Sequence, residues 1–251
     1  MNRQFKHLKD IIFGTLYFLC LPFNEGIRAI LLYHSINDKD TFQNQMLYLK
    51  KNFRIVLLKD LQKEITKDKI KTNILSLTFD DVEKSIYKNA LPILKDLGLK
   101  ATFFIAPNWL GKNIDTPFKG RKIVNIQEVK EIFSLGHEIG AHTMNHPKLT
   151  EIPLAEARKE IFQSKSYLEN LIGSEIVSFA YPYGAFDERI QNLLKEAGFY
   201  YGVTTKEALL KDKDIDWFEL PRIGIDEKIG PFQFKGKISK ALEIYEFLRG
   251  R

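Results

Sequence analysis

The sequence predicts an α/β fold in which about eight parallel strands form one sheet that closes into a barrel. Short apolar runs alternate with longer helical patterns from residue 29 onward, and a glycine often separates a helix from the next strand. Most of the runs are almost continuously apolar, as strands buried on both faces are. An open, doubly wound sheet is the alternative. The 251 residues suit one domain of this kind, since α/β barrels commonly reach about 200–250 residues.

The predicted strands are short runs bounded by polar residues or glycine. They cover Ala29–Tyr33, Arg54–Leu58, Ile74–Phe79, Ala101–Ile105, Glu138–His142, Val177–Ala180, Tyr201–Thr204 and Arg222–Ile225. Helices with recognisable ends are predicted between them. They cover Asp40–Leu49 with Asp40 as the cap, Tyr87–Leu94, Ile126–Leu135, Leu154–Leu171 and Asp187–Ala197. The irregular stretch Asn108–Lys122 is predicted to be a long loop near a functional site.

Composition excludes several classes of protein. A hydrophobic share of 44% and an aromatic share of 12% are ample for a core, so a disordered chain is excluded. The single cysteine, Cys20, excludes an internal disulfide framework. The formal net charge is +6, but no arginine-rich run or basic stripe interleaved with aromatic residues is present. We therefore expect no nucleic-acid partner.

The N-terminal segment, residues 1–28, is treated apart from the main domain, residues 29–251. Three basic residues precede the apolar stretch Ile11–Phe23, as in a signal peptide, but Asp10 interrupts the junction and no small-residue cleavage site follows. The stretch is shorter than the roughly 20 residues of a spanning helix. A retained helix, packed or at a membrane interface, an anchor and a signal peptide all remain open. We expect a membrane-associated or cytoplasmic protein, with an exported one as the alternative, and peripheral membrane contact through residues 1–28.

Two adjacent carboxylates end the apolar run Ile74–Phe79. Neighbouring side chains of a strand point to opposite sides, so Asp80 and Asp81 at its tip can serve two different partners. A turn with a helix cap is the alternative, since aspartate is common in both.

Two histidines lie four positions apart about sixty residues later. Together with Asp81, His142 and His146 form a set of three ligands that would leave a divalent metal open to water and substrate. Solvated loop histidines are the alternative. Active sites of barrels lie where the strands end, and Tyr181–Gly184 follows a third predicted strand. Independent motifs on one rim strengthen the prediction of a metal-dependent hydrolase.

These motifs resemble the NodB-homology polysaccharide deacetylase family, over about residues 29–225. Thr78–Asp81 matches its first motif, His142–His146 its His-(Ser/Thr)-x-x-His motif, and Gly98–Phe104 is also typical. The resemblance implies a distorted or incomplete (β/α) barrel of about seven or eight parallel strands. It also implies that Asp80 is the catalytic base. The divalent metal, zinc or alternatively cobalt, nickel or iron, would be held by Asp81, His142 and His146.

The chain departs from the family pattern at two motifs. Ala180 stands where the family has the arginine that orients the catalytic aspartate, and we expect Arg222 to replace it, with a surface ion pair as the alternative. The family motif Asp-x-x-Asp-Trp is only half met, because Lys213 stands in place of its first aspartate before Asp216–Trp217.

The family's Leu-x-His motif, which supplies the general acid, occurs near the N-terminus as Leu32–His34. This arrangement resembles the permuted subgroup of poly-N-acetylglucosamine deacetylases. First and last strands of a closed barrel are neighbours, so a strand can come from either end. We expect His34 to be the general acid, and a structural histidine is the alternative.

The resemblance implies removal of an N-acetyl group from an amino sugar of a polysaccharide, peptidoglycan or lipid-linked glycan precursor. The metal would polarise the carbonyl and acidify a water, and Asp80 would take its proton. The backbone N–H of Tyr183 would hold the oxyanion, and His34 would protonate the leaving amine. Tyr181, Tyr183 and Trp109 could stack on a sugar ring. The alternatives are a deformylase or deacylase of a lipid-linked amino sugar and an inactive sugar-binding module.

Overall fold

A parallel sheet, curled into a distorted and incomplete barrel, forms the centre of the protein. The computed structural model describes residues 3–67, 72–114, 120–211, 213–226 and 229–250. The strands are β1 Arg28–Tyr33, β2 Arg54–Val56, β3 Ile74–Phe79, β4 Thr102–Ile105, β5 Asn113–Ile114, β6 Arg121–Lys122, β7 Glu138–Ala141, β8 Ser178–Ala180, β9 Tyr201–Val203 and β10 Ile223–Gly224. The helices are α1 Arg3–Cys20, α2 Lys39–Asn52, α3 Leu58–Lys67, α4 Leu91–Leu97, α5 Ile126–Ser134, α6 Leu154–Ile172, α7 Glu188–Glu196, α8 Pro231–Lys237 and α9 Ala241–Leu248. The predicted α/β class and parallel barrel are confirmed.

The described strands of this sheet number eight, in the order β10-β1-β3-β4-β7-β8-β9, with β2 also paired to β3. β2 pairs with the first half of β3 and β4 with the second half. Between β9 and the segment before β10, the described residues show a single parallel bridge, Val203 to Leu220. We call this bridge the seam. The seam places the segment before β10 beside β9, and β10 itself pairs with β1, so the ring of strands is almost complete.

Apolar runs make these strands because both of their faces are covered. Every residue of β1, β3, β4 and β7 is buried. Three aromatic rings, from Tyr33, Phe79 and Phe103, stack from strand to strand with centroids 5.4 and 4.9 Å apart. The buried hydroxyl of Thr78 donates to the Leu31 carbonyl at 2.7 Å, so this polar residue fits into the apolar strand.

Most predicted elements match to within a few residues at their ends, and the structure departs from the predictions in three further respects. Asp38, not Asp40, caps α2, since its carboxylate accepts from Thr41 N at 3.0 Å. The strand predicted over residues 54–58 stops at Val56, because Leu58 already begins the amphipathic helix α3. The predicted loop Asn108–Lys122 contains the short antiparallel pair β5–β6, and its residues 115–119 lie outside the described part. Gly98 caps α4 with a left-handed φ of 67°, as expected where a glycine separates a helix from the next strand.

The N-terminal helix α1 packs against α8 and α9. The Phe13 ring is buried, with its centroid 4.4 Å from that of Tyr245. The Asp10 carboxylate accepts from Gln233 N at 2.8 Å and so caps the start of α8. Asp10 therefore has a structural partner within residues 29–251. Among the described residues, no helix combines the length and the apolar character needed to cross a membrane.

Candidate metal centre and active site

Residues that follow the four strands β1, β3, β7 and β8 meet at the carboxyl rim of the barrel, and the side chain of Arg222, immediately before β10, reaches the same place. Asp80 N donates to Tyr33 O at 3.0 Å, which sets the tip of β3 beside the tip of β1. His142 N donates to Ile105 O at 2.9 Å, which does the same for β7 and β4. The structure thus brings together seven of the residues singled out in the sequence, which are His34, Asp80, Asp81, His142, His146, Tyr183 and Arg222. The prediction for Tyr181 is wrong, because its ring is fully buried and its hydroxyl donates to Phe218 O at 2.9 Å, so no face is left for a sugar.

Three of these side chains converge on one point. Asp81 Oδ1 lies 3.7 Å from His142 Nε2 and 3.6 Å from His146 Nε2, and the two nitrogens are 3.1 Å apart. All three residues are buried, and one ligand atom from each lies within 4.8 Å of the others. Ligands about 2.0–2.1 Å from a tetrahedral zinc are about 3.3 Å from one another, so these separations match such a site.

The hydrogen bonds of the cluster fit a divalent cation. His142 Nδ1 donates to the Ala180 carbonyl at 2.7 Å, which leaves the lone pair of Nε2 directed at the cluster. Both carboxylate oxygens of Asp81 are buried and accept no hydrogen bond from the described residues. An unsatisfied buried carboxylate beside two imidazoles is the donor set of a zinc-type site.

Burial and charge also shift the cluster's pKa values. Burial, together with the charge of Asp80, raises the pKa of Asp81 to about 7. Burial and the neighbouring His142 lower the pKa of His146 to about 3, and burial lowers the pKa of His142 as well. Both imidazoles are therefore neutral near pH 7, which is the form that ligates metals.

Arg222 holds Asp80 in a buried, two-pronged ion pair. Its Nη1 and Nη2 donate to Asp80 Oδ1 and Oδ2, each at 2.7 Å, and Arg222 is fully buried. Nε donates to the Thr204 carbonyl at 2.8 Å and Nη1 also donates to Thr78 Oγ1 at 3.2 Å. Burial alone would raise the pKa of Asp80, but the charge and hydrogen bonds of Arg222 outweigh it and hold this pKa well below its usual range. The aspartate stays ionised and its plane is fixed.

His34 follows β1 and lies next to Asp80 on the rim, because Tyr33 pairs with Phe79 in the sheet. Burial lowers the pKa of His34, the carboxylate of Asp80 raises it, and the charges of Arg222 and Arg121 lower it. A titratable imidazole thus stands on the Asp80 side of the cluster, where a proton could be exchanged with a substrate.

Two aromatic rings flank His146 at the mouth of the site. The ring of Trp109 has its centroid 4.6 Å from that of His146, and the half-exposed ring of Tyr183 lies 4.9 Å away.

Six described non-glycine residues have a positive φ, and all but Asp214 lie in the site loops, namely Asp81, Val82, Thr143, His146 and Tyr183. Such conformations cost about 1–3 kcal/mol each and persist where surrounding contacts enforce them.

Glu160, which belongs to no recognised motif of the sequence, supplies one of those contacts. Its Oε2 accepts from Met144 N and Asn145 N at 2.8 and 2.9 Å, and its Oε1 accepts from Asn145 Nδ2 at 2.6 Å. Glu160 therefore fixes the backbone between His142 and His146. The signal in the sequence is a glutamate on the buried face of α6, where the other residues are small or apolar.

Arg121 on β6 is a second residue that sequence reasoning missed. Its Nε lies 3.5 Å from Glu83 Oε2, and its Nη1 lies 4.0 Å from Asp81 Oδ2. The β5–β6 pair thus reaches the site from the side, as expected for a stretch predicted to lie near it. Nothing in the local sequence around Arg121 indicates this reach.

The fold and the site have known counterparts. The chain is 28% identical over 200 residues to a poly-beta-1,6-N-acetyl-D-glucosamine N-deacetylase of Staphylococcus epidermidis, covering 76% of this chain and 68% of that protein. A protein of the same description from Staphylococcus aureus is 29% identical over the same shares. Both matches extend well beyond the site motifs.

Two solved structures share the fold. The Streptococcus pyogenes deacetylase PplD, in complex with acetate, superposes with a TM-score of 0.74 at 22% identity, over 85% of this chain and 98% of that chain. IcaB from Ammonifex degensii superposes with a TM-score of 0.72 at 20% identity, over 85% and 97%. The family model for polysaccharide deacetylases matches residues 67–202, more than half of the chain, including both metal-ligand motifs. The chain therefore belongs to the polysaccharide deacetylase family, whose members are hydrolases.

Proposed function

We propose that the protein is a metal-dependent hydrolase that removes N-acetyl groups from amino sugars of a glycan. The observation that carries this proposal is the juxtaposition of the Asp81–His142–His146 cluster with a second carboxylate, Asp80, held by a buried arginine. The names of the staphylococcal relatives favour a polymer of N-acetylglucosamine as substrate. Peptidoglycan and lipid-linked precursors share the same acetamide chemistry.

Asp81, His142 and His146 would hold one divalent cation, with zinc first and cobalt, nickel or iron as alternatives. When bound, such a cation polarises an amide carbonyl and acidifies a water molecule. The chain's own contribution is a preformed pocket whose imidazoles are already neutral and whose His142 ring is fixed by the Ala180 carbonyl.

Asp80 is proposed as the base that accepts a proton from the attacking water. The bidentate contact with Arg222 keeps this carboxylate ionised near neutral pH and orients it, at the expense of its basicity. Arg222 therefore acts as a positioning residue and does not itself exchange protons.

His34 is proposed as the acid that protonates the leaving amine, since it stands on the Asp80 side of the cluster. The backbone N–H of Tyr183 is proposed to donate to the oxyanion. The rings of Trp109 and Tyr183, on either side of His146, would supply stacking surface for the sugar.

The two alternatives make different demands on the site. A deformylase or deacylase needs the same hydrolytic groups and differs only in the acyl group released. A metal-free sugar-binding module has no use for an ionised base, so the costly burial of Arg222 with Asp80 argues against it.

The central prediction is acetate release from N-acetylglucosamine oligomers by the metal-loaded protein. Asp81→Asn should remove both the bound metal and the activity, because it takes away the one anionic ligand. Metal content and released acetate are measured side by side, with formate release from N-formyl sugars as the comparison. If the metal-loaded protein binds the sugar but releases no acyl group, the proposed hydrolase function is wrong.

Two variants distinguish the role of the proposed base, Asp80, from that of Arg222, which orients it. Asp80→Asn should lower kcat by about 10²–10⁴ with unchanged metal content. Arg222→Lys keeps the charge but loses the two-pronged geometry, so kcat should fall while the metal stays bound. Asp80→Asn leaves a buried unpaired guanidinium, so its unfolding free energy should fall by about 3–5 kcal/mol. Substantial acetate release by the Asp80 variant would rule this base out.

The acid role of His34 predicts a change in the pH profile. A general acid must be protonated, so kcat should fall on the high-pH side, and this limb should vanish or move in His34→Gln. Metal content should stay unchanged, since His34 is outside the ligand set. A variant whose profile keeps the shape of the parent protein's profile contradicts the role.

Glu160 is predicted to tune metal affinity through the loop that carries both histidines. Glu160→Ala leaves two backbone N–H groups of the loop without their acceptor, and metal affinity should fall about 10–100-fold. Glu160→Gln keeps an acceptor oxygen, so its metal affinity should lie between those of Glu160→Ala and the parent protein. Chelator competition measures this independently of turnover. The exposed Glu156 on the same helix gives the control Glu156→Ala, and equal affinity in all variants would remove the proposed role.

A further inference from the structure

Exposed apolar side chains are concentrated at the two ends of the chain. Of the fifteen large apolar residues exposed in the described part of the protein, nine belong to α1, the turn after it, α8 or α9. On α9, Phe247 and Leu248 are 79% and 70% exposed. Scattered exposed apolar residues are ordinary, but a concentration of this kind marks an interaction surface.

Helix α1 has two apolar faces, and one of them packs against the described part of the protein while the other is exposed there. Phe13 and Cys20 are buried on the face toward α8 and α9. On the other face, Leu8, Ile11, Phe18 and Leu19 are each more than half exposed and recur at helical spacing. The Phe232 ring of α8 continues this face, 5.9 Å from the ring of Phe18. We call these five residues the terminal apolar surface.

Positive charge is concentrated in the same segments. Residues 1–24 and 229–251 together contain eight lysine or arginine residues and only three acidic ones. They therefore carry +5 of the formal net charge of +6 in 47 of the 251 residues. One of these cations, Lys235 Nζ, lies 5.9 Å from the Phe232 ring, at the edge of the terminal apolar surface.

The positive charge distinguishes between two simple binding partners for the terminal apolar surface, a second copy of the chain and a lipid bilayer. In a symmetric dimer the same patch faces itself, so two strongly basic segments would be brought together. An anionic lipid bilayer offers the opposite charge and an apolar interior for the exposed side chains. An exposed apolar helix face with a cation at its edge is typical of helices that lie in the membrane interface, and Lys235 supplies that cation here.

We propose that the protein docks peripherally on anionic lipid bilayers through the terminal apolar surface. The aliphatic and aromatic side chains of α1 enter the headgroup region, and Lys235 at the edge of the surface contacts a lipid phosphate. Asp10, capping α8, keeps α1 attached to the barrel while its outer face binds the lipid. The inference goes beyond the proposed deacetylase function and does not depend on it.

The test is sedimentation of the purified full chain with vesicles of phosphatidylglycerol and phosphatidylcholine, or of phosphatidylcholine alone. Binding is expected to the anionic vesicles and to weaken in high salt, since the electrostatic part is screened. Ile11→Gln combined with Phe18→Gln should lower the partition constant about tenfold or more, because two large apolar side chains no longer enter the bilayer. Hydrolysis of a soluble substrate should be unchanged.

The matched control is Ile126→Gln with Leu154→Gln, since both residues are 44% exposed and lie on other helices. If the α1 variant loses thermal stability, Phe232→Gln on α8 tests the same terminal apolar surface instead, since this ring is 41% exposed. Equal binding to neutral vesicles, an equal loss in the control, or no binding at all overturns the proposal. A stable dimer that becomes monomeric in the α1 variant, without vesicle binding, would assign the surface to a second copy.

Discussion

The buried ion pair between Arg222 and Asp80 is the interaction on which both barrel and site depend. Removing two charges from water costs several kcal/mol per ion unless the geometry and the remaining hydrogen bonds compensate. Here the guanidinium has Asp80, Thr78 and the Thr204 carbonyl as acceptors, and Phe104 lies 5.6 Å beneath it. The pair therefore ties the last strand to the tip of β3 and fixes the Asp80 carboxylate beside the Asp81–His142–His146 cluster.

The loops that carry the site are shaped by contacts from elements behind them. Left-handed backbone at Thr143 and His146 is sustained by Glu160 of α6 and by the Thr143 hydroxyl, which accepts from His146 N at 2.9 Å. Rigid scaffold elements thus hold a strained loop in one arrangement. Ala180 likewise acts through its backbone, because its carbonyl oxygen accepts from His142 Nδ1 and orients that ring.

The sequence predicts the strands well where apolar runs are continuous, as at Ile74–Phe79, because burial on both faces leaves an unambiguous pattern. It also predicts the residues at the strand ends, since barrel topology collects them on one rim. It does not reveal Glu160, whose partners are mainly backbone N–H groups, or Arg121, whose approach depends on the β5–β6 pair. Asp38 and Asp40 are equally good caps by residue type, so only the three-dimensional start of α2 distinguishes them.

The separation of 142 residues between Asp80 and Arg222 has a consequence for the order of folding. Strands β1, β3, β4 and β7 pair over shorter stretches of chain. Because shorter loops cost less entropy to close and distant contacts form slowly, these strands are expected to pair first. The three residues proposed to hold the cation are all synthesised by residue 146, well before Arg222. A growing chain would therefore contain the proposed cation ligands before it contains Arg222, which orients Asp80. Closure of the seam by the last strand is then the step that fixes the carboxylate proposed as the base.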